Sequence, residues 1–388
     1  MKTRAAVLNG SGARPPFAQS RPFEVAEVDL AGPGPGEVLV RIAAAGVCHS
    51  DLSAVTGARP RRLPAVAGHE AAGVVEEVGA GVTGLAPGDH VVMVFVASCG
   101  GCAVCLEGRP NLCQSSWRAR AEGTLPTGAR RLSRNGDPLH HWSGVSAFAE
   151  YAVVTPQSLV RVAADIPLDI AAIFGCAVVT GVGAVLNTAR LHPGSSAAVI
   201  GLGGVGLSAL LGAVAAGAAR IAAVDLSPAK LDLARGLGAT HVYDASQPDC
   251  AERILDEFGP ADRVLEFAGA ASAARLGYAI TGRGGVLVTA GLPDPGQRLD
   301  LPLADLVATE RTVKGSYMGS ASPRRDIPRY LELYRVGRLP VDRLRSATLS
   351  LDEVNHAFDR LASGVSVRDV LVPHELPHAV PHAPIASS

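Results

Sequence analysis

The sequence predicts an α/β protein in two parts, a β-rich lobe and a doubly wound parallel-sheet domain. Three observations predict it. Short Val-rich runs fill the N-terminal third, strand-like and helix-like runs alternate from about Gly181 onward, and a Gly-x-Gly-x-x-Gly turn joins the first strand and helix of that alternation. With 388 residues, 48% of them hydrophobic, the chain is long enough for two cores and too apolar for disorder. Aromatic residues are only 4%, so the core must be built from Ala, Val, Leu and Ile. Lys and Arg number 35 against 36 Asp and Glu, a balance that gives no support to nucleic-acid or anionic-membrane binding.

In the first part, residues 37–42, 71–78 and 90–96 read as strands. Pro33-Gly34-Pro35-Gly36 and Ala86-Pro87-Gly88-Asp89 supply turns before two of them. Residues 114–143 are rich in Arg, Gly and Pro without periodicity, and predict a long excursion over the surface. In the second part, residues 197–200, 221–224, 263–267 and 285–289 read as strands, residues 205–216 and 228–237 as helices, and 326–335 as an amphipathic helix beyond them. Two uncharged apolar stretches, 170–189 and 191–219, mimic membrane spans; the glycines of the second and its αβ setting favour buried structure. The expected division is residues 1–180, 181–319, a return to the first lobe over 320–372, and a frayed Pro/His/Ala-rich tail over 373–388 with His374, His378 and His382.

Ala197 to Leu207 reads strand, glycine turn, helix. Gly201 serves the tight turn, Gly203 the approach of backbone to a pyrophosphate, and Gly206 the packing of helix on strand, with Leu202, Gly204 and Val205 between them. The helix N-terminus offers free N–H groups to the phosphates. Asp225 ends the next strand, nineteen residues past Gly206. A carboxylate there accepts hydrogen bonds from ribose hydroxyls and repels a 2′-phosphate, so NAD is expected over NADP.

Seven cysteines are too few and too clustered for a disulfide scaffold. The first ten residues hold Lys2 and Arg4 and only a short apolar run, not a secretory pattern, so a reducing cytoplasmic location is expected. Cys99, Cys102, Cys105 and Cys113 place four thiolates in one loop, 99–113. That is a closed tetrahedral set with no position for substrate, hence structural zinc. Cys48, His69 and Cys176 are scattered, but together they offer two sulfurs and one imidazole and leave a fourth position open, as catalytic zinc requires. Glu70 could tune or transiently bind that metal, and Asp51 could hold the second nitrogen of His69.

These motifs, with Gly68-His69-Glu70 followed by Gly73 and Gly79 at the expected distance from Cys48, resemble the zinc-dependent medium-chain alcohol dehydrogenases that carry both zinc sites. The resemblance covers nearly the whole chain. It implies a GroES-like β domain with its active site in a cleft against a Rossmann domain. It implies that Cys48, His69 and Cys176 hold catalytic zinc, that Ser50 takes the substrate proton, and that His49 and Arg368 approach the NAD pyrophosphate. Lys230 then meets the adenosine ribose, and Thr180 and Leu292 line the nicotinamide. One departure is Ser53, where many relatives have a relay histidine. The implied reaction interconverts a small-molecule alcohol with an aldehyde or ketone by hydride transfer to NAD, with two zinc ions per chain and a homodimeric assembly.

Two other readings compete. Arg118, Arg120, Arg130, Arg131 and Arg134 in the 114–143 segment could hold an acidic thiol–formaldehyde adduct, though such charges more often solvate a loop. A non-catalytic zinc-binding regulatory protein is disfavoured by the absence of a dense basic patch and by the open three-ligand set. Phe95, Trp142 and Tyr317 are the candidates for shaping the substrate pocket, where Phe95 and Trp142 suit a bulky or aromatic alcohol.

Overall fold

The computed structural model describes residues 1–374. The remainder of the expected tail, with His378 and His382, lies outside the described residues. His374, at its start, is held by a 3.0 Å hydrogen bond to the Glu150 carbonyl.

The Val-rich runs of the N-terminal third form two sheets. A six-stranded sheet is built around the antiparallel pair Lys2–Leu8 and Phe23–Leu30, and a seven-stranded sheet around Val38–Gly46, Ala71–Val78 and His90–Met93. Two C-terminal strands, Arg345–Ser350 and Arg368–Val372, complete the second sheet, with Val370 opposite Gly46. The return of the chain to the first lobe therefore lays Arg368 beside the strand that leads into Cys48. Side chains alternate across a strand, so Val38–Gly46, apolar at nearly every position, is covered on both faces. Phe23, Phe148 and Phe358 pack edge-on or tilted against one another in the core beneath it.

The alternating half forms a parallel sheet. Its strands are β1 (Ser196–Ile200), β2 (Arg220–Asp225), β3 (His241–Asp244), β4 (Ala261–Glu266), β5 (Thr281–Thr289) and β6 (Thr312–Gly315), in the order β3-β2-β1-β4-β5-β6. The strand order reverses between β1 and β4, which opens a crevice at their C-terminal ends. Strands β3 and β6 were not foreseen. Each is four residues long, and β6 is nearly all exposed, so neither carries a continuous apolar run.

The helical stretch Leu168–Ala189 joins the lobes. It is the one helix, among the described residues, long and apolar enough to cross a membrane, and 83% of its most apolar window is buried inside the fold. The expected boundary at 180/181 falls inside this helix, which widens to π geometry over Phe174–Val178 and Ala184–Ala189.

Residues 114–143 are not the irregular surface excursion that their composition suggested. They contain the helix Gln114–Glu122 and short strands at Leu132–Arg134, Asp137–Pro138 and His140–His141. Leu125, Leu132, Leu139 and Trp142 anchor the segment in the core. Four apolar anchors among many Arg and Gly residues leave little periodic signal, yet each removes its side chain from water. Buried Glu37 ties the segment down further, accepting from Arg131 Nε at 2.7 Å and from Thr127 Oγ1 at 2.7 Å.

His141 belongs to the same anchor. Its Nε2 accepts from the Arg131 backbone N–H at 3.1 Å. Burial, aided by Arg130 and Arg131, pushes its pKa down to about 4. The folded chain thus excludes a proton that the unfolded chain binds near pH 6.5. Stability from this group is complete above pH 6.5 and is lost as the pH falls towards 4, by up to about 3 kcal/mol. Urea unfolding at pH 7.0 and pH 4.5 should show that loss in the parent protein and a smaller one in His141→Gln. An equal loss in both would show that another group governs the acid transition.

Candidate active site

Each donor of the open metal set comes from a different part of the chain. Cys48 follows Val38–Gly46 at the N-cap of the helix His49–Val55. His69 lies in the link between Ala65–Val66 and Ala71–Val78. Cys176 lies in the first π turn of the interdomain helix. Gly175 beside it brings that helix close, because a Cβ there would lie 2.3 Å from the Met93 carbonyl oxygen. The two sulfurs and a ring nitrogen of His69 all lie within 4.8 Å of one another, and all three residues are buried. Two soft sulfurs and one imidazole in that compass suit zinc and leave a tetrahedral position open.

Asp51 is fully buried, with Oδ1 2.9 Å from His69 Nδ1. It fixes the ring so that Nε2 faces the two sulfurs. Burial alone would lower the His69 pKa; the Asp51 carboxylate outweighs it and raises the value to about 10. A hydrogen bond from the Cys176 thiol, then the charges of Arg368 and His69, hold Cys48 well below the usual thiol range. The protein's own charges therefore favour a thiolate at Cys48.

Glu70 is not among the converging donors. Its carboxylate lies 3.6 Å from Arg368 Nη1, and both side chains are almost completely buried. Burial raises the Glu70 carboxyl to about 7 against the pull of Arg368. Arg368 donates to the Val47 carbonyl at 2.8 Å, and its guanidinium lies against Gly204 at the start of the helix Gly204–Ala215. This pairing was not legible from sequence, since Glu70 and Arg368 are 298 positions apart.

A cleft of about 360 Å³ runs from the metal donors to the glycine turn, walled by both lobes. Lining it are Cys48, Cys176, His49, Ser50, Thr180, Gly201, Gly203, Gly204, Val205, Gly206, Asp225, Lys230, Leu292 and Arg368. Leu202 is buried below the turn. Its N–H donates to Asp225 Oδ2 at 2.6 Å, while the Ser227 N–H donates to Oδ1 at 2.9 Å. Asp225 is therefore clamped at the tip of β2. A Cβ on Gly206 would lie 1.8 Å from the Gly201 carbonyl oxygen, so only glycine fits there. Behind Asp225, an apolar cavity of about 500 Å³ opens between β2 and the segment after β4. Phosphate-sized backbone access, a carboxylate at the strand tip and an apolar chamber beyond it fit a dinucleotide.

Ser50 and Ser53 both line the cleft, but the Ser53 hydroxyl donates to the His49 carbonyl at 2.9 Å. Phe95 and Tyr317 line it too, with ring centroids 5.9 Å apart, and Phe95 stands edge-on to the His69 ring at 5.4 Å. Trp142 is buried outside the lining, under Arg61 at 5.4 Å. Arg59 reaches across the cleft to the Pro293 carbonyl at 3.0 Å. The basic run Arg59-Pro60-Arg61-Arg62, directly after the helix that carries Ser50, was the signal for these residues that the sequence reading passed over.

Cys99, Cys102, Cys105 and Cys113 bring four sulfurs within 4.8 Å of one another at the edge of the first lobe. The loop around them holds only two short helical turns, Ala103–Leu106 and Pro110–Leu112.

The family profile of the alcohol dehydrogenase GroES-like domain matches residues 34–164, and that of the zinc-binding dehydrogenases matches residues 204–335. The chain is 40% identical, over 96% of its length and 100% of the relative's, to the S-(hydroxymethyl)glutathione dehydrogenase of Escherichia coli O157:H7. The crystal structure of benzyl alcohol dehydrogenase from Acinetobacter calcoaceticus superimposes with a TM-score of 0.90 at 33% identity, covering 96% of this chain and 100% of that one. A zinc-binding alcohol dehydrogenase domain protein from Burkholderia ambifaria gives the same TM-score and coverage at 36% identity. The chain belongs to the zinc-dependent medium-chain alcohol dehydrogenases. It is accordingly an enzyme, a zinc-dependent oxidoreductase of small-molecule alcohols and aldehydes that works with NAD, the cofactor typical of the family.

Proposed function

We propose that Cys48, His69 and Cys176 hold the catalytic zinc, that Cys99, Cys102, Cys105 and Cys113 hold a structural one, and that the cleft between them and Asp225 takes NAD. The observation that carries this reading is the convergence of three donors from three distant segments in the cleft that also contains the glycine turn. When bound, the zinc acidifies the alcohol hydroxyl and the nicotinamide takes up hydride.

The chain's own residues do the rest. Asp51 orients His69, and Cys176 and Thr180 lie one helical turn apart, which sets the donor beside the cofactor wall. Ser50 accepts the hydroxyl proton. Ser53, occupied with the His49 carbonyl, does not continue a relay, so the proton leaves Ser50 along the cleft towards solvent. Arg368 and the Gly204 helix N-terminus face the pyrophosphate, with His49 and Lys230 on the same wall. Glu70 positions Arg368 from behind. Phe95 and Tyr317 exclude water from the reacting carbon. The test is NADH absorbance with a panel of alcohols alongside zinc counted per chain; zinc-replete protein that reduces no NAD with any alcohol would refute the reading.

Asp225 is proposed to select NAD. Asp225→Asn removes the charge that repels a 2′-phosphate while keeping one acceptor oxygen for Leu202. The ratio of kcat/KM for NAD over NADP should fall about tenfold. An unchanged ratio would remove Asp225 from cofactor choice.

A homodimer is proposed through the outer edge of the parallel sheet. Among the described residues strand β6 pairs only with β5, and the adjoining helix Leu303–Thr309 leaves Leu303 and Val307 about three-quarters exposed. An open edge beside exposed apolar side chains is a template for pairing. Light scattering should give twice the chain mass for the parent and half that for Val307→Lys. A monomeric parent would exclude the assembly.

A further inference from the structure

Beyond β6 the backbone takes a strained course. Met318, Gly319 and Ser320 are consecutive and all left-handed, with φ of 52°, 62° and 49°. Glycine adopts that conformation freely, whereas a methionine and a serine keep it only where their surroundings over-determine it. The run borders the cleft, because Ser316, Tyr317 and Met318 all line it. It also presses directly on the interdomain helix Leu168–Ala189. A Cβ on Gly319 would lie 2.6 Å from the Val179 and Thr180 carbonyl oxygens, and one on Gly183 would lie 2.6 Å from the Gly319 oxygen. The run is thus registered against the helical turn that carries Thr180.

The end of the same helix supplies what holds it there. Thr188 is buried, and its hydroxyl donates to Ser320 Oγ at 2.9 Å. Ser316 Oγ lies 2.9 Å from the same threonine oxygen. With the single Thr188 proton already taken, the Ser316 hydroxyl is the donor of that second bond. One oxygen therefore ties Ser316, before the left-handed run, to Ser320 at its end. Beside it, Asn187 Nδ2 donates to the Gly319 carbonyl at 3.2 Å. Consecutive side chains on an α-helix diverge by about 100°. In the π turn Ala184–Ala189 both of these neighbours reach the one segment. A valine at 188 would keep the shape of threonine but leave buried Ser316 without its acceptor.

We propose that Thr188 is a positioning residue of the coenzyme site: its hydroxyl holds residues 316–320 in the left-handed course that sets this part of the cleft wall against Thr180. The inference rests on the NAD reading of the cleft for its effect on binding, but not for its effect on the segment.

Thr188→Val should weaken NADH binding about tenfold by calorimetric titration and raise the KM for NAD by a similar factor, with zinc content unchanged. Thr188→Ser keeps the oxygen and should recover most of the affinity. Ser320→Ala cuts only the exposed end of the staple and should cost about threefold. The double variant should bind NADH no more weakly than Thr188→Val alone, since both changes remove the same bond. Without coenzyme, amide hydrogen exchange over residues 316–321 should quicken in Thr188→Val and not in Thr188→Ser. A Thr188→Val protein that melts lower yet binds NADH like the parent, with exchange unchanged, would show a merely structural threonine and overturn the inference. Additive losses in the double variant, or a serine variant as weak as the valine one, would overturn it too. A parent that binds no NADH would refute the coenzyme reading and the positioning role with it. Quickened exchange in Thr188→Val would still distinguish that failure from the loss of the staple itself.

Discussion

Cys48→Ala is expected to lower kcat/KM for alcohol oxidation by about 10³-fold or more and to reduce bound zinc from two ions per chain to one. Cys48 stands two residues past a strand buried on both faces, and the backbone leading into it is fixed because the Val47 N–H donates to the Asp369 carbonyl at 2.9 Å. The site therefore cannot shift to recruit a substitute. Glu70, the carboxylate next to His69 in sequence, is turned to Arg368 instead. With one thiolate gone, His69 and Cys176 remain as two ligands, too few for a zinc site that also keeps a position for substrate. Elemental analysis and NADH absorbance on one preparation check both halves. A variant that keeps two zinc ions and full turnover would remove Cys48 from the donor set.

Cys102→Ser is expected to act on stability before chemistry. Within the loop 99–113 only Asn111 and Cys113 are buried, so the loop has almost no apolar core to hold it. The Cys102 thiol is already drawn below its usual pKa by the backbone N–H of Gln114 and by Cys105. Losing it removes both a thiolate and the closure of the tetrahedron, and structural zinc contributes its binding energy to folding. A fall in melting temperature of about 10 °C is expected, with one zinc lost and proteolytic cutting inside the loop. Activity should decline with it, because Asn111 donates to the Tyr317 carbonyl at 2.9 Å and so ties the loop to the cleft wall. Unchanged melting and protease resistance would show that the loop holds itself.

Local signals explain what the sequence made legible. The strand Ala71–Val78 and the turn after β1 are runs in which neighbours in sequence are neighbours in space. The four clustered cysteines also needed no long-range contact to be recognised. The open metal site is different. Cys48, His69 and Cys176 were legible as donor types, but their convergence depends on Gly175 letting a helix approach the strand His90–Met93. The Glu70–Arg368 pair depends on strands brought together across the whole chain. The 114–143 segment was misjudged because a few buried leucines outweigh, energetically, the polar residues that dominate its composition.

One helix, Leu168–Ala189, presents Cys176 to the first lobe and Thr180 to the second. On the proposed assignment, its hydrogen-bonded backbone is a ruler between ion and coenzyme. Whatever the width of the mouth on the Arg59 side, the separation of those two positions stays graduated along a single rod. Inserting one residue between those two positions would swing one relative to the other by about 100°, a change that no loosening of the mouth would repair.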